Sequence, residues 1–98
     1  MFAATGPNAW DCSGLTMMAW KSVGVSLPHS AHLQYQSVSH KVSRSQLQPD
    51  DLIMWYGSMH HVGIYAGNGM AIDAPNPSKT VRMIPVGYMP YAGAVRPG

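Results

Sequence analysis

The chain is poor in charged side chains, and no stretch concentrates the few it has. Only 10% of its 98 residues are charged, six basic and four acidic, which gives a formal net charge of +2. The lack of a basic run argues against a nucleic-acid-binding protein. Cysteine is scarcer still, because the chain has only one. An internal disulfide is therefore excluded, and packing must stabilise the fold.

Long hydrophobic runs are also missing. No apolar stretch approaches the roughly 20 residues that a membrane-spanning helix needs, and Met1 does not open a signal-peptide pattern. The length predicts one small domain over residues 1–98. The opening Met1–Ala4 is typical of a chain cut from a longer one, so we expect this domain to be truncated at its N-terminus.

Two helices are predicted in the first half of the chain. Apolar residues recur at three- and four-residue steps across Cys12–Val23, as in an amphipathic helix. Asp11 is a suitable N-cap for this helix, and Gly24 suits its C-terminal end. Ser30 can cap a second, shorter helix. The large side chains expected in the core are Met17, Met18, Trp20, Met54 and Trp55.

Short strands are predicted in the second half. Gly67-Asn68-Gly69 is a hairpin turn signal. Helices followed by a meander of strands predict an α+β domain with an antiparallel sheet. The predicted strands are Asp51–Tyr56, His61–Ala66, Met70–Ala74, Thr80–Ile84 and Ala92–Val95.

Cys12 would lie in the first turn of the first helix. Unpaired backbone N–H groups and the positive end of the helix dipole favour a thiolate there, and the thiolate is the nucleophilic form. A small apolar residue buried in the core is the alternative role for a lone cysteine. One cysteine and scattered histidines lack zinc-site spacing, so no metal is predicted.

A nucleophile also needs a base, and His61 opens the strand HVGIYAG. Strand alternation puts His61, Gly63 and Tyr65 on one face and leaves open space beside the imidazole. Pairing Tyr65 with Gly69 would set His61 opposite Asp73, as the base and orienting residue of a triad are arranged. A solvated edge carboxylate is the alternative for Asp73, and a one-residue slip would turn it to the other face.

Taken together, these segments resemble the NlpC/P60 peptidase domain. The resemblance covers residues 6–97 and is carried by DCSGL, LPHS, LQPDDLIMW, HVGIYAGNGMAIDAPNPSKTVRM and YAGAVRPG. It implies a papain-like fold, in which an N-terminal helix carrying the nucleophile packs on an antiparallel β-sheet. It further implies a secreted or cell-wall-associated cysteine endopeptidase, monomeric and without a cofactor. The implied substrate is a peptidoglycan stem peptide, cut between D-glutamate, through its γ-carboxyl, and a diamino acid. Neither nucleic acid nor membrane is an implied partner.

The resemblance assigns roles residue by residue. It implies Cys12 as nucleophile, His61 as base and Asp73 as the third polar residue. Most members are similar in having histidine at the third position, so aspartate is a departure, although a carboxylate can stabilise an imidazolium. Asp50 replaces a usual glycine and would need a left-handed conformation, which aspartate tolerates. The implied substrate contacts are Asp11, Ser13, Ser30, His60 and Tyr65.

Three alternatives to an endopeptidase stay open. The domain could be a non-catalytic wall-binding module of the same fold. It could also be a papain-like amidase that cuts between muramic acid and alanine. A structural domain with a buried cysteine is the third.

Overall fold

Two short helices precede a five-stranded sheet. The computed structural model describes residues 12–74 and 81–98, except for the side chains of Cys12 and Ser13. All neighbouring strands pair antiparallel, in the order β4-β3-β2-β1-β5, so the predicted α+β class with an antiparallel sheet is confirmed. The elements are α1 (Cys12–Lys21), α2 (Ala31–Ser37), β1 (Leu52–Trp55), β2 (His61–Gly67), β3 (Met70–Asp73), β4 (Arg82–Pro85) and β5 (Tyr91–Val95).

Helix α1 ends at Lys21, two residues before the predicted Val23, and Gly24 forms its C-terminal cap as the sequence predicts. This glycine has a positive φ of 87°, which costs a residue without a Cβ little. The Gly24 N–H donates to the Lys21 carbonyl and the Val25 N–H to the Trp20 carbonyl, the two bonds of a Schellman motif. The predicted N-cap Asp11 lies outside the described residues.

The buried face of α1 differs from the predicted one. Leu15 and Ala19 are buried as expected, but Met18 is 38% exposed and Val23 56% exposed. Thr16 is buried instead, and its hydroxyl donates to Gln34 Oε1 of α2 at 2.6 Å. A buried polar residue needs such a partner, so this hydrogen bond joins the two helices within the core.

The sheet is buried on both faces, which explains why all four residues of β1 are buried. One face packs against the helices in a cluster that includes Ala19, Leu52 and Val62. The other is covered by loop residues in a cluster that includes Trp55 and Val86. No helix in the described part of the chain has the length and apolar character to cross a bilayer.

Turns join the strands where the sequence predicts them. Asn68 and Gly69 both have positive φ and form a two-residue turn between β2 and β3, as hairpins favour. Asp50 adopts a φ of 77° ahead of β1, so the left-handed conformation expected at this position is confirmed. Of the predicted strand Thr80–Ile84, Thr80 lies outside the described residues.

Candidate active site

His61 is the first residue of β2 and is held between neighbouring strands. It pairs with Trp55 of β1, and its ring centroid lies 5.5 Å from that of the indole. The indole is itself fixed, because its Nε1 donates to the Val86 carbonyl at 2.8 Å. The imidazole is nearly buried, so its contacts within the protein decide its orientation.

Asp73 is the partner that the structure gives to His61. Its Oδ2 lies 2.6 Å from His61 Nε2, in a buried hydrogen bond. Asp73 is the last residue of β3 and is 0% exposed. It is therefore not the solvated edge carboxylate that the sequence left open.

The strand register that produces this contact differs from the predicted one. Tyr65 pairs with Ala71 and not with Gly69. The prediction was thus wrong by two residues, and an even shift keeps every side chain on its predicted face. Continuing the observed register puts Asp73 opposite Gly63, one diagonal step from His61, a distance that long side chains bridge.

Gly63 is needed for packing and leaves no open space beside the imidazole. A Cβ at this position would lie 2.8 Å from ring carbons of Trp55 and 2.7 Å from the Ile72 carbonyl oxygen. The prediction of open space was therefore wrong. The indole lies over the glycine, next to His61.

Arg82 of β4 holds the other side of the Asp73 carboxylate. The two residues are directly paired across the strands. Arg82 Nε lies 2.8 Å from Oδ1 and Nη2 lies 3.2 Å from Oδ2. Burial raises the pKa of Asp73, but hydrogen bonds from His61 and Arg82, with the charge of Arg82, outweigh it and hold that pKa below its usual value. Asp73 is therefore an ionised acceptor.

Sequence reasoning missed Arg82. Strand β4 was predicted, but its register against β3 depends on a connection between residues 74 and 81 that contains no two-residue turn signal. The one available indication was that Asp73, if buried, requires a charged or hydrogen-bonding partner.

His60 lies in the loop before β2, where its exposed ring stacks on Tyr56 with centroids 4.8 Å apart. Ser58 Oγ hydrogen-bonds to His60 Nδ1. Tyr56 and Met59 both have positive φ, which non-glycine residues rarely adopt. The loop that leads into His61 is therefore strained, a property that clusters at functional sites.

Two of the predicted substrate contacts have local structural roles. Ser30 caps α2 and accepts from the Leu33 N–H at 3.4 Å. The Tyr65 hydroxyl accepts from the Gly69 N–H at 2.9 Å. Four residues of strand separate Tyr65 from His61, or about 13 Å, so the two side chains are not brought together.

The predicted residues at the start of α1 are only partly described. Asp11 lies outside the described residues, as do the side chains of Cys12 and Ser13. The backbone nevertheless fixes the element, because α1 begins at Cys12 and packs against β2, the strand that His61 opens.

The described histidines and carboxylates do not form a metal centre. Across residues 12–74 and 81–98, no three His, Cys, Asp or Glu residues are grouped to hold an ion. The buried carboxylates Asp73 and Asp51 are instead each bound by an arginine. The arrangement suits proton transfer at an imidazole whose orientation a carboxylate fixes.

The sequence model of the NlpC/P60 family matches residues 1–93 of this chain. A probable endopeptidase of Corynebacterium glutamicum is 43% identical over 95 residues, which cover 97% of this chain and 45% of the relative. The chain thus spans less than half of that relative's length.

Two solved structures from related proteins share the fold. RipA, a resuscitation promoting factor interacting protein, superposes with a TM-score of 0.80 at 36% identity, covering 90% of this chain and 43% of that one. The peptidoglycan hydrolase RipB of Mycobacterium tuberculosis superposes with a TM-score of 0.78 at 31% identity, covering 88% and 44%. The papain-like architecture expected from the resemblance is the one these neighbours share.

Three solved RipA structures carry mutations at a cysteine, a histidine and a glutamate. In that protein the histidine follows the cysteine by 49 positions, and the glutamate follows the histidine by 12. The same two intervals separate Cys12, His61 and Asp73. Asp73, where the resemblance led us to expect histidine, thus follows His61 at the same interval at which a glutamate follows a histidine in RipA.

Proposed function

Because the chain belongs to the NlpC/P60 family, we propose that it is a cysteine endopeptidase that hydrolyses peptidoglycan stem peptides. The buried His61–Asp73 hydrogen bond carries this proposal. A histidine held by an ionised carboxylate is the base of a nucleophilic hydrolase. The cysteine that begins α1, the helix packed against β2, is the matching nucleophile.

The proposed reaction divides hydrolysis into two steps. The Cys12 thiolate attacks the scissile carbonyl, and the backbone N–H groups at the start of α1 stabilise the oxyanion. The C–N bond breaks as His61 gives its proton to the leaving amine, which leaves a thioester on Cys12. Water then attacks the thioester and gives a proton to His61, which returns it to the thiolate as the C–S bond breaks.

The contact with Asp73 assigns the two imidazole nitrogens. Nε2 donates to the carboxylate at 2.6 Å, so Nδ1 is the nitrogen that exchanges the proton with Cys12 and the leaving group. Ionised Asp73 stabilises the imidazolium that forms beside the thiolate and fixes the plane of the ring.

The finer substrate assignment follows the family resemblance. We propose the bond between the γ-carboxyl of D-glutamate and a diamino acid as the cleavage site. Asp11 is suited to bind the free amine of the stem peptide. His60 is exposed in the loop beside His61, and we propose it as a polar contact to the substrate. Such a substrate places the protein at the cell wall.

Digestion of purified peptidoglycan and of a D-γ-glutamyl-diaminopimelate peptide tests the proposal. Mass spectrometry of the products identifies the bond, and we expect wild-type protein to release the diamino acid with a new amine. Cys12→Ala should abolish cleavage with little change in thermal unfolding.

Other product patterns would reject parts of this assignment. Cleavage between muramic acid and alanine would indicate an amidase. Binding to the wall without cleavage by wild-type protein would indicate a binding module. Cleavage that persists in Cys12→Ala would exclude the cysteine mechanism.

A further inference from the structure

We propose that Arg82 is a positioning residue, which orients the Asp73 carboxylate so that it holds His61 in the reactive geometry. The inference rests on the proposed function, because it concerns the same active site. Arg82 is not expected to touch the substrate or the reacting atoms.

The contacts divide the carboxylate between two partners. Oδ1 accepts from Arg82 Nε at 2.8 Å. Oδ2 accepts from His61 Nε2 at 2.6 Å and from Arg82 Nη2 at 3.2 Å. Arg82 therefore holds both oxygens, whereas His61 holds only one. Such a bidentate pair fixes the plane of a carboxylate as well as its position.

Asp73 needs this support because nothing in its own covalent structure fixes the carboxylate. Rotation about χ2 of aspartate has broad preferences, and the His61 bond alone would allow the plane to turn about Oδ2. A turned carboxylate would direct its acceptor away from Nε2. Small misplacements at a catalytic group can cost about 100-fold in rate.

Arg82 is in turn held by its surroundings. It is the residue paired directly with Asp73 between β3 and β4, and its guanidinium lies 5.4 Å from the centroid of the Tyr88 ring. Its side chain is 36% exposed, whereas that of Asp73 is 0% exposed. The carboxylate is therefore shielded from water, while the charge of its arginine partner stays partly solvated.

The charge of Arg82 has a separate, measurable consequence. Removing a cation beside Asp73 raises the pKa of that carboxyl, since burial then opposes ionisation with less compensation. The other titratable groups that act on this pair are His61 on Asp73, and Tyr88 and Tyr56 on Arg82. None of these tyrosines replaces the lost positive charge.

The test compares Arg82→Gln and Arg82→Lys with wild type on the D-γ-glutamyl-diaminopimelate peptide. Arg82→Gln should lower kcat about 10- to 100-fold, with KM within about twofold of wild type. It should also move the acid limb of kcat/KM to higher pH. Arg82→Lys keeps the positive charge but loses the planar guanidinium that binds both carboxylate oxygens. It should therefore return the acid limb of kcat/KM to its wild-type pH but recover only part of kcat.

A double-mutant cycle separates positioning from other roles. If Arg82 acts through Asp73, then Arg82→Gln should cause no further loss of kcat in an Asp73→Asn background. A full, additive loss in that background would overturn the proposal. So would an Arg82→Gln effect on KM alone, or an unchanged kcat and pH profile.

Arg96→Gln is the matched control. Arg96 holds the buried Asp51 in the same bidentate way, with contacts of 2.7 Å and 2.9 Å. Its substitution breaks an equivalent pair outside the active site, so it should lower thermal stability without moving the pH profile.

A measurement that needs no turnover keeps this inference separate from the proposed function. The proton on His61 Nε2 should give a hydrogen-bonded resonance in NMR spectra that Arg82→Gln shifts and Arg96→Gln does not. An inactive wild type would reject the proposed function, whereas an unshifted resonance in Arg82→Gln would reject the positioning role.

Discussion

At the scale of single residues, the site is organised around the orientation of one imidazole. Asp73 binds Nε2 at 2.6 Å, and the Trp55 indole lies beside the ring. Gly63 makes this possible, because any side chain there would displace the indole. Each of these three residues thus removes one way in which His61 could turn.

The adjacent histidines should differ sharply when replaced. His61→Ala removes the proposed general acid and base, so cleavage of the stem peptide should fall by at least about two orders of magnitude. His60→Ala removes an exposed ring that stacks on Tyr56 and hydrogen-bonds to Ser58, so the loss should be much smaller. The measurement is kcat/KM for both variants, with thermal unfolding as a check on the fold. A larger effect for His60→Ala would mean that His61 is not the base and that the role belongs to His60.

At the scale of elements, a β-bulge puts Asp73 on the face of His61. The two-residue Asn68-Gly69 turn pairs Gly67 with Met70, and this register alone would set Asp73 opposite Ile64, on the face that packs against the helices. The register shifts by one residue between Tyr65 and Gly67. That shift brings Asp73 opposite Gly63 and onto the face of the imidazole. Bulges beside active sites commonly re-aim a side chain in this way.

Deleting Ala66 tests the role of the bulge. Without the extra residue, Gly67 can still pair with Met70 and Tyr65 with Ala71, so the turn and the His61–Asp73 contact are both kept and kcat should stay near that of wild type. Thermal stability should change little, since Asp73 keeps His61 and Arg82 as partners. Ala66→Ser is the control, because this position is exposed and surface changes stay within about 0.5 kcal/mol.

The outcome that would contradict this view is a deletion variant whose turnover falls to that of Asp73→Asn. In that case β2 and β3 would pair in a different register once the bulged residue is removed.

Local patterns predict the elements of this fold better than they predict how the elements meet. Gly24, Ser30 and Asp50 act at the ends and turns where their backbone chemistry predicts. The register of β2 against β3 was wrong by two residues because the predicted pairing of Tyr65 with Gly69 implied a turn over residues 66–68. The turn is formed by Asn68 and Gly69, and the one-residue bulge offsets only part of that error. The position of the Trp55 ring over Gly63 likewise depends on packing between strands, which no single segment encodes.

The residues of the candidate site were predictable to the same extent. His61 and Asp73 were proposed as partners from strand alternation and family resemblance, and an even error in register left their faces correct. Arg82 could not be found, because its contact depends on how β4 returns to β3. The predicted roles of Cys12, Asp11 and Ser13 stay predictions, since their side chains lie outside the described residues.

At the scale of the whole molecule, the scarcity of charge gives each buried ion pair unusual weight. The chain has four acidic residues, and two of them, Asp51 and Asp73, are buried and bound by arginines. The Asp51–Arg96 pair joins the start of β1 to the end of β5, and the Asp73–Arg82 pair joins β3 to β4. The two pairs therefore connect both edge strands of the sheet to their neighbours.

Folding stability should consequently depend on pH through Asp73. The pKa of this carboxyl is lowered in the folded protein relative to its ordinary value of 3.8, so the ionised form favours folding. This contribution is fully present above the unfolded value and is lost as the pH falls through the lower folded value. Urea unfolding should therefore show a smaller free energy of unfolding at about pH 3 than at about pH 6. Asp73→Asn should be less stable than wild type at the higher pH and lose less free energy of unfolding on acidification, because it no longer titrates there.

Asp50→Asn is the matched control, since Asp50 is exposed and asparagine also tolerates its left-handed backbone. It should lose as much free energy of unfolding as wild type. An equal loss in Asp73→Asn and wild type would mean that ionisation of Asp73 does not stabilise the fold, and that the Arg82 contact serves orientation alone.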